Sequence, residues 1–200
     1  WQILVGIFAV YYGFKIFLAL IRTLYDHARA KDLVYLKVTL PRSDSKLDQE
    51  KRTEKDFKEK VAVMAQLYRA LYEIRELNLW NLIKTKIWQA DDISFELFVE
   101  NQQLNFYVVV DKEYQNIVEK QITTFYKDAD VQASYKPYVL FEKGKKAKAY
   151  FMYAKRPYWF PFQCYKEMEQ DPLNEIANVL SKLEPTEKAA IQMIINPVSN

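Results

Sequence analysis

The sequence has only three glycines in 200 residues, one cysteine and one histidine. Scarce glycine leaves little chain able to bend closely around a phosphate, because such backbone conformations favour a residue without a Cβ. A GxxxxGK[ST] phosphate loop needs two glycines before its lysine, and Gly144 is the only glycine after Gly13. Nucleotide hydrolysis by these residues is therefore not expected. The lone Cys164 excludes an internal disulfide and a thiolate-rich metal cluster, and fits a reducing compartment. With no histidine partner, it reads as a buried structural thiol rather than a nucleophile. His27 has Asp26 beside it but no convergent set of partners, so it reads as a surface residue rather than a base or ligand. The carboxylate pairs Asp91/Asp92 and Asp128/Asp130 fall at predicted turns, where solvated turn residues are the ordinary explanation. No catalytic, cofactor-binding or metal-ligating set is expected. A net charge of +3 is too small to imply a nucleic-acid partner as a total.

What is present is apolar and aromatic: half of the chain is hydrophobic, with 15 Tyr and 12 Phe, enough for one or two compact domains. The run WQILVGIFAVYYGFKIFLALI, Trp1 to Ile21, carries one charge, Lys15. As a helix it measures about 31 Å, roughly a bilayer core. A secretory signal would place basic residues before a shorter apolar core, whereas here Arg22, Arg29 and Lys31 follow a long one. The flanks favour a single-pass anchor, with the remainder cytoplasmic. Lys15 is expected to snorkel toward headgroups. Gly6, Ala9 and Gly13 give a weak helix-pairing pattern.

Past this segment the periodicity changes. Leu33 to Leu40 alternates as a strand, residues 41–52 read as a polar loop, and Thr53 caps a helix whose stripe is Phe57, Val61, Met64, Tyr68, Leu71 and Tyr72, ending near Asn78. Ile93, Phe95, Leu97 and Val99 alternate with the polar Ser94, Glu96 and Glu100, and with Leu104 to Val110 they form a hairpin around Asn101 to Gln103. Asp111 caps a second helix with Tyr114, Ile117, Val118, Ile122 and Phe125 on its buried side, and Val131, Ala133 and Tyr135 mark a further strand. This order, βαββαβ, predicts an α+β ferredoxin-like domain over residues 32–136, after an anchor and basic flank over 1–31. Residues 137–200 read as a second, partial α+β unit. It comprises a hairpin of Tyr138 to Phe141 and Ala147 to Ala154 around Lys143-Gly144-Lys145, the stretch YWFPFQ, a helix from about Pro172 to Leu183 capped by Asp171 with Leu173, Ile176, Val179, Leu180 and Leu183 as its apolar side, and a strand from Ala190 to Ile195. That strand is apolar throughout and is expected in the centre of a sheet.

Lys143, Lys145, Lys146 and Lys148 could touch phosphates or acidic lipid, although a solvated hairpin tip is the simpler reading. Tyr35 and Tyr107 lie opposite the apolar stripes, as the stacking aromatics of RNA-recognition motifs do. LNFYVVV lacks that motif's glycine-aromatic signature, so the tyrosines are expected to pack beneath the C-terminal part.

The run WFPFQ, then DPLNEIANVLSKLEPTEKAAIQMIINP, resembles the region preceding the motor in membrane-associated ATPases of conjugative transfer and type IV secretion, ring-forming HerA/FtsK-like machines. The resemblance lies in Asp171, Pro172 and Leu173, then Leu183 and Glu187, then Ala190, Ile191, Gln192 and Pro197, over about 40 residues. It implies a membrane-anchoring and docking module that tethers a motor, with membrane lipid, channel components and further copies of itself as partners. The Trp1 start and the strand close to Asn200 lead to the expectation that the native protein continues into that motor. A free-standing membrane-anchored interaction domain and a membrane-tethered nucleic-acid binder are the alternatives.

Overall fold

The computed structural model describes residues 2–40, 54–73, 92–153, 155, 167 and 172–195. The expected loop at 41–52, the Thr53 and Asp171 caps, the helix end near Asn78, Asp91, YWFPFQ, Cys164 and Pro197 lie outside the described residues. So do the side chains of Phe57, Val61, Tyr72 and Leu173. The elements in chain order are α1 (Gln2–Arg29), β1 (Leu33–Thr39), α2 (Glu54–Glu73), β2 (Ile93–Glu100), β3 (Gln103–Asp111), a 3-10 turn (Lys112–Tyr114), α3 (Gln115–Phe125), β4 (Asp130–Ser134), α4 (Pro172–Leu180) and β5 (Ala189–Ile195).

α1 is long and apolar enough to cross a membrane, and Ile7, Phe8, Val10 and Phe17 on it are uncovered. Lys15 does not reach toward the basic end: its ammonium lies 4.9 Å from the Tyr11 ring centroid, one turn back. The reason is the N-terminal tilt of helical side chains, which carries a long chain over the preceding turn.

The rest is mixed α+β, built on a five-stranded antiparallel sheet of order β4-β1-β3-β2-β5. This is not the four-stranded sheet expected from βαββαβ, since β5 is added beyond β2. Alternation puts Val34 and Leu36 of β1, with Val108 and Val110 of β3, on one face, where they meet Leu67 and Leu71 of α2 and Val118 and Ile122 of α3. The Asn101–Gln102 turn closes β2–β3 with φ of 51° and 60°, the pair of left-handed residues that a tight two-residue hairpin requires. Asp111 accepts from the Glu113 backbone N–H at 3.2 Å and starts the 3-10 turn leading into α3.

Four further expectations are corrected. α4 ends at Leu180 rather than Leu183, and Val179 of its expected apolar side is 66% exposed. Among the described residues β5 is an edge strand rather than a central one, paired only to β2, and Ile194 remains 63% exposed. The expected hairpin at 138–154 is not formed, since described residues 138–153 carry no strand. Its turn exists, with Lys145 N–H donating to Glu142 C=O at 3.2 Å and Gly144 at φ 88°, but its first limb is drawn onto the sheet by side-chain bonds instead of pairing with the second. Ile117, placed on the buried side of α3, is 44% exposed, because Val118 and Ile122 form the contact line.

Truncating Leu36 to Ala should therefore cost about 2–5 kcal/mol in urea denaturation, as buried Leu to Ala changes do. Ile117→Ala should cost less than about 1 kcal/mol. Equal losses at the two positions would contradict this core.

Candidate functional site

The sheet has two ends with different hardware. At one end β1 begins, β3 finishes and α1 arrives, since Leu33 pairs with Asp111. Only residues 30–32 separate α1 from β1. Arg29 Nε donates to Asp111 Oδ2 at 3.4 Å, with the Arg29 side chain only 13% exposed, and Lys112 N–H donates to Asp32 C=O at 3.1 Å. Asp111 thus holds both the turn before α3 and the last turn of α1. Arg29, expected as a membrane flank, is spent partly on this joint. Arg22 is half-buried, while Lys31 and His27 are exposed.

The second face of the sheet carries a buried acid that sequence reasoning passed over as an ordinary polar alternate. Glu96 of β2 is 5% exposed. Its Oε2 accepts from Tyr138 Oη at 2.6 Å, and its Oε1 accepts from Ser94 Oγ at 2.8 Å and Gln192 Nε2 of β5 at 2.9 Å. Tyr138 stacks on Phe98 at 4.2 Å between centroids and meets Tyr107 at 5.2 Å and Tyr35 edge-on at 6.0 Å. Tyr35 and Tyr107 do pack beneath a C-terminal segment, namely the strap that leaves β4 and crosses this face. Burial first, and then the hydrogen bond to Glu96, push the Tyr138 phenol well above its ordinary value, so it stays a donor. Desolvation raises Tyr35 in the same way. The aromatic residues on the polar phase of β1 to β3 were the one sequence signal that this face is covered.

At the far end the strap is tied down by Lys188, 16% exposed. Its Nζ lies 2.6 Å from Glu100, 2.8 Å from Glu142 and 3.0 Å from Val139 C=O. Lys145 pairs with Glu142 at 2.9 Å and donates to Thr186 C=O at 3.3 Å. Of the four lysines singled out in the sequence, Lys145 is thus a structural cation, while Lys143, Lys146 and Lys148 are exposed. Hydrogen bonds from Lys188 and then Lys145 hold Glu142 down to about 2. Beside this end, α4 and the β2–β3 turn enclose a groove of about 480 Å³ lined by Val99, Leu104, Ala177 and Leu180 with polar neighbours, and Gln102 Nε2 donates to Leu183 C=O at 3.1 Å.

Chemically this is a set of joints. The Glu96 acceptors are taken by protein donors. Asp128 and Asp130 are exposed, and Asp130 accepts from Gln132. Among the described residues no group of His, Cys, Asp and Glu is arranged to hold a metal.

An apolar helix fixed to an α+β sheet defines the class. Residues 25–200 match the domain family of unknown function DUF8128, and the chain belongs to that family. No curated protein and no solved structure matches it.

Tyr138→Phe removes a hydrogen bond to a buried acid and should cost about 1.5–3 kcal/mol in urea denaturation. Tyr135→Phe, whose exposed hydroxyl donates to Gln115, should stay within about 0.5 kcal/mol. A loss at Tyr138 no larger than at Tyr135 would mean that ring packing alone holds the strap. Acid provides a second check. A carboxyl whose pKa falls on folding stabilises the fold above its ordinary value of 4.5 and withdraws that contribution as pH drops toward 2. Glu142→Gln should therefore flatten stability against pH in that window only, and an unchanged slope would remove Glu142 from the joint.

Proposed function

We propose that this chain is a membrane anchor and docking module, with α1 crossing the bilayer once and the α+β part on the cytoplasmic face. The observation carrying this reading is that an uncovered apolar helix is joined to the sheet through three residues and braced by Arg29 and Asp111. Twenty-four residues, Gly6–Arg29, make a helix of about 36 Å, longer than the roughly 30 Å hydrocarbon layer, so its last turns reach the headgroups. The basic residues Arg22, Arg29 and Lys31 at that end support the cytoplasmic orientation. The inner strands β4-β1-β3-β2, with α2 and α3 in their crossovers, support a ferredoxin-like core to which β5 has been added.

The resemblance of the C-terminal third to the pre-motor region of conjugative-transfer and type IV secretion ATPases supports a motor as the tethered cargo. Assembly into a ring would then bring further copies and channel components as partners. The role of these residues is tethering, not hydrolysis. A free-standing interaction domain is the second reading, and the β5 edge, unpaired among the described residues, serves it equally well. A phosphate loop encoded downstream of Asn200 would favour the motor tether, and its absence the free-standing domain.

Deleting residues 1–31 should move the protein from the carbonate-resistant membrane fraction to the soluble fraction. Retention in the membrane would reject the anchor. Orientation is read with Lys31→Cys in a Cys164→Ser background: labelling by an impermeant maleimide only after lysis is expected, and labelling of intact cells would reverse the topology.

A further inference from the structure

Between Lys143 and Lys155 the chain carries five lysines and no acidic residue. Lys145 is held by Glu142, whereas Lys143, Lys146, Lys148 and Lys155 are exposed without a carboxylate partner among the described residues. Within the same stretch Tyr150, Phe151, Met152 and Tyr153 are 82%, 94%, 86% and 88% exposed. Their backbone forms no strand or helix. Four consecutive large apolar side chains left in water mark a surface that expects a ligand. On an extended backbone, which a nucleic-acid strand could impose on this stretch, residues two apart share a side about 6.6 Å from one another, and Phe151 and Tyr153 would then offer neighbouring ring faces.

We propose that this strip, Lys143 to Lys155, binds single-stranded nucleic acid, with bases stacked on Tyr150, Phe151 and Tyr153 and phosphates on Lys143, Lys146, Lys148 and Lys155. Aromatic faces combined with an uncompensated cationic track are what sequence-tolerant single-strand binding needs. A duplex keeps its base faces stacked against each other and offers these rings nothing, so it gains only the charge term. With α1 crossing the bilayer as proposed above, an anionic membrane surface has the same charge but lies at the other end of the sheet. The strip is tied to the Glu100 and Lys188 end of the sheet, and α1 leaves from the Leu33 and Asp111 end. Eight residues of strand separate those ends by about 26 Å, some three Debye lengths at about 8 Å each. A protein strand pairing with the extended backbone would leave both the cations and the rings without a role. The assignment does not rest on the identity of any tethered motor.

The test uses the full chain in zwitterionic nanodiscs, with fluorescence anisotropy of a short labelled oligothymidylate and of a duplex of equal length. The single strand should bind at low salt at least about tenfold more tightly than the duplex. Phe151→Ala with Tyr153→Ala should weaken it by at least about tenfold while leaving the salt slope intact. Lys143, Lys146 and Lys148 changed together to Gln should reduce the slope of log K against log salt by about 2, at about 0.7 per phosphate on a single strand. All five side chains are exposed, so circular dichroism should be unchanged. The proposal is overturned if the single strand does not bind at low salt, if duplex binds equally well, or if the aromatic double variant binds like the parent. It is also overturned if anionic vesicles, but not zwitterionic ones, displace the oligonucleotide and lose affinity with the same aromatic changes, which would make the strip a lipid contact.

Discussion

Three donors from three stretches of chain converge on the side chain of Glu96, and the placement of the strap and of β5 follows from that point. Ser94 is local, but Tyr138 belongs to the strap and Gln192 to β5. A carboxyl group buried without partners costs several kcal/mol, so the sheet face is stable only with strap and strand both in place. Register is fixed by the same group. Glu96 and Gln192 are directly paired in the β2–β5 ladder, and a slip of one residue would turn Gln192 to the helix face and leave Oε1 with Ser94 alone. Apolar residues in these positions would pack as well but would not single out one register.

The strap then explains why the two ends of the sheet differ. β4 finishes near the α1 end, since Ser134 pairs with Tyr35, and the chain must travel the length of the face to reach Lys188. Tyr138 is its midpoint and rests on Phe98, Tyr107 and Tyr35. Lys188 is its end stop, binding a carbonyl and a carboxylate of the strap and the last carboxylate of β2. The lysine-rich turn is thereby delivered to the end opposite α1. In the proposed membrane arrangement, the sheet becomes a spacer between bilayer and basic strip.

Strand and helix existence in the first half was legible because each element carries a clean period: Val34, Leu36 and Val38 at two, Val118 and Ile122 at four. A turn between β2 and β3 was legible from the polar residues Asn101 to Gln103, although Gln103 belongs to β3 and the left-handed conformation of Asn101 and Gln102 was not read from the sequence. What failed was long-range. Uniform apolarity placed β5 in a sheet centre, but such a pattern reports two partly covered faces and says nothing of edges. The turn at Gly144 suggested a hairpin, yet Tyr138 and Val139 are committed to Glu96 and Lys188, residues 42 and 49 positions away, and no local pattern encodes that. Glu96 itself looked like one more solvent-facing residue of an alternating strand. Ile117 fell a step off the contact line, within the tolerance of a helical stripe.

The two edges of the sheet are treated differently, and the difference bears on assembly. β4 is five residues long and carries Asp130 on its run, devices that blunt an edge against further pairing. β5 is seven residues, AAIQMII, with no charge, no proline and no bulge in its ladder to β2. Its inner edge is locked by Gln192 and Glu96. Among the described residues its outer edge has no ladder partner, and Met193 and Ile194 are uncovered on opposite faces. An edge of that composition aggregates unless a strand is supplied to it. A docking module needs such a place, and one whose inner side is immobilised presents it without paying ordering entropy at the moment of binding.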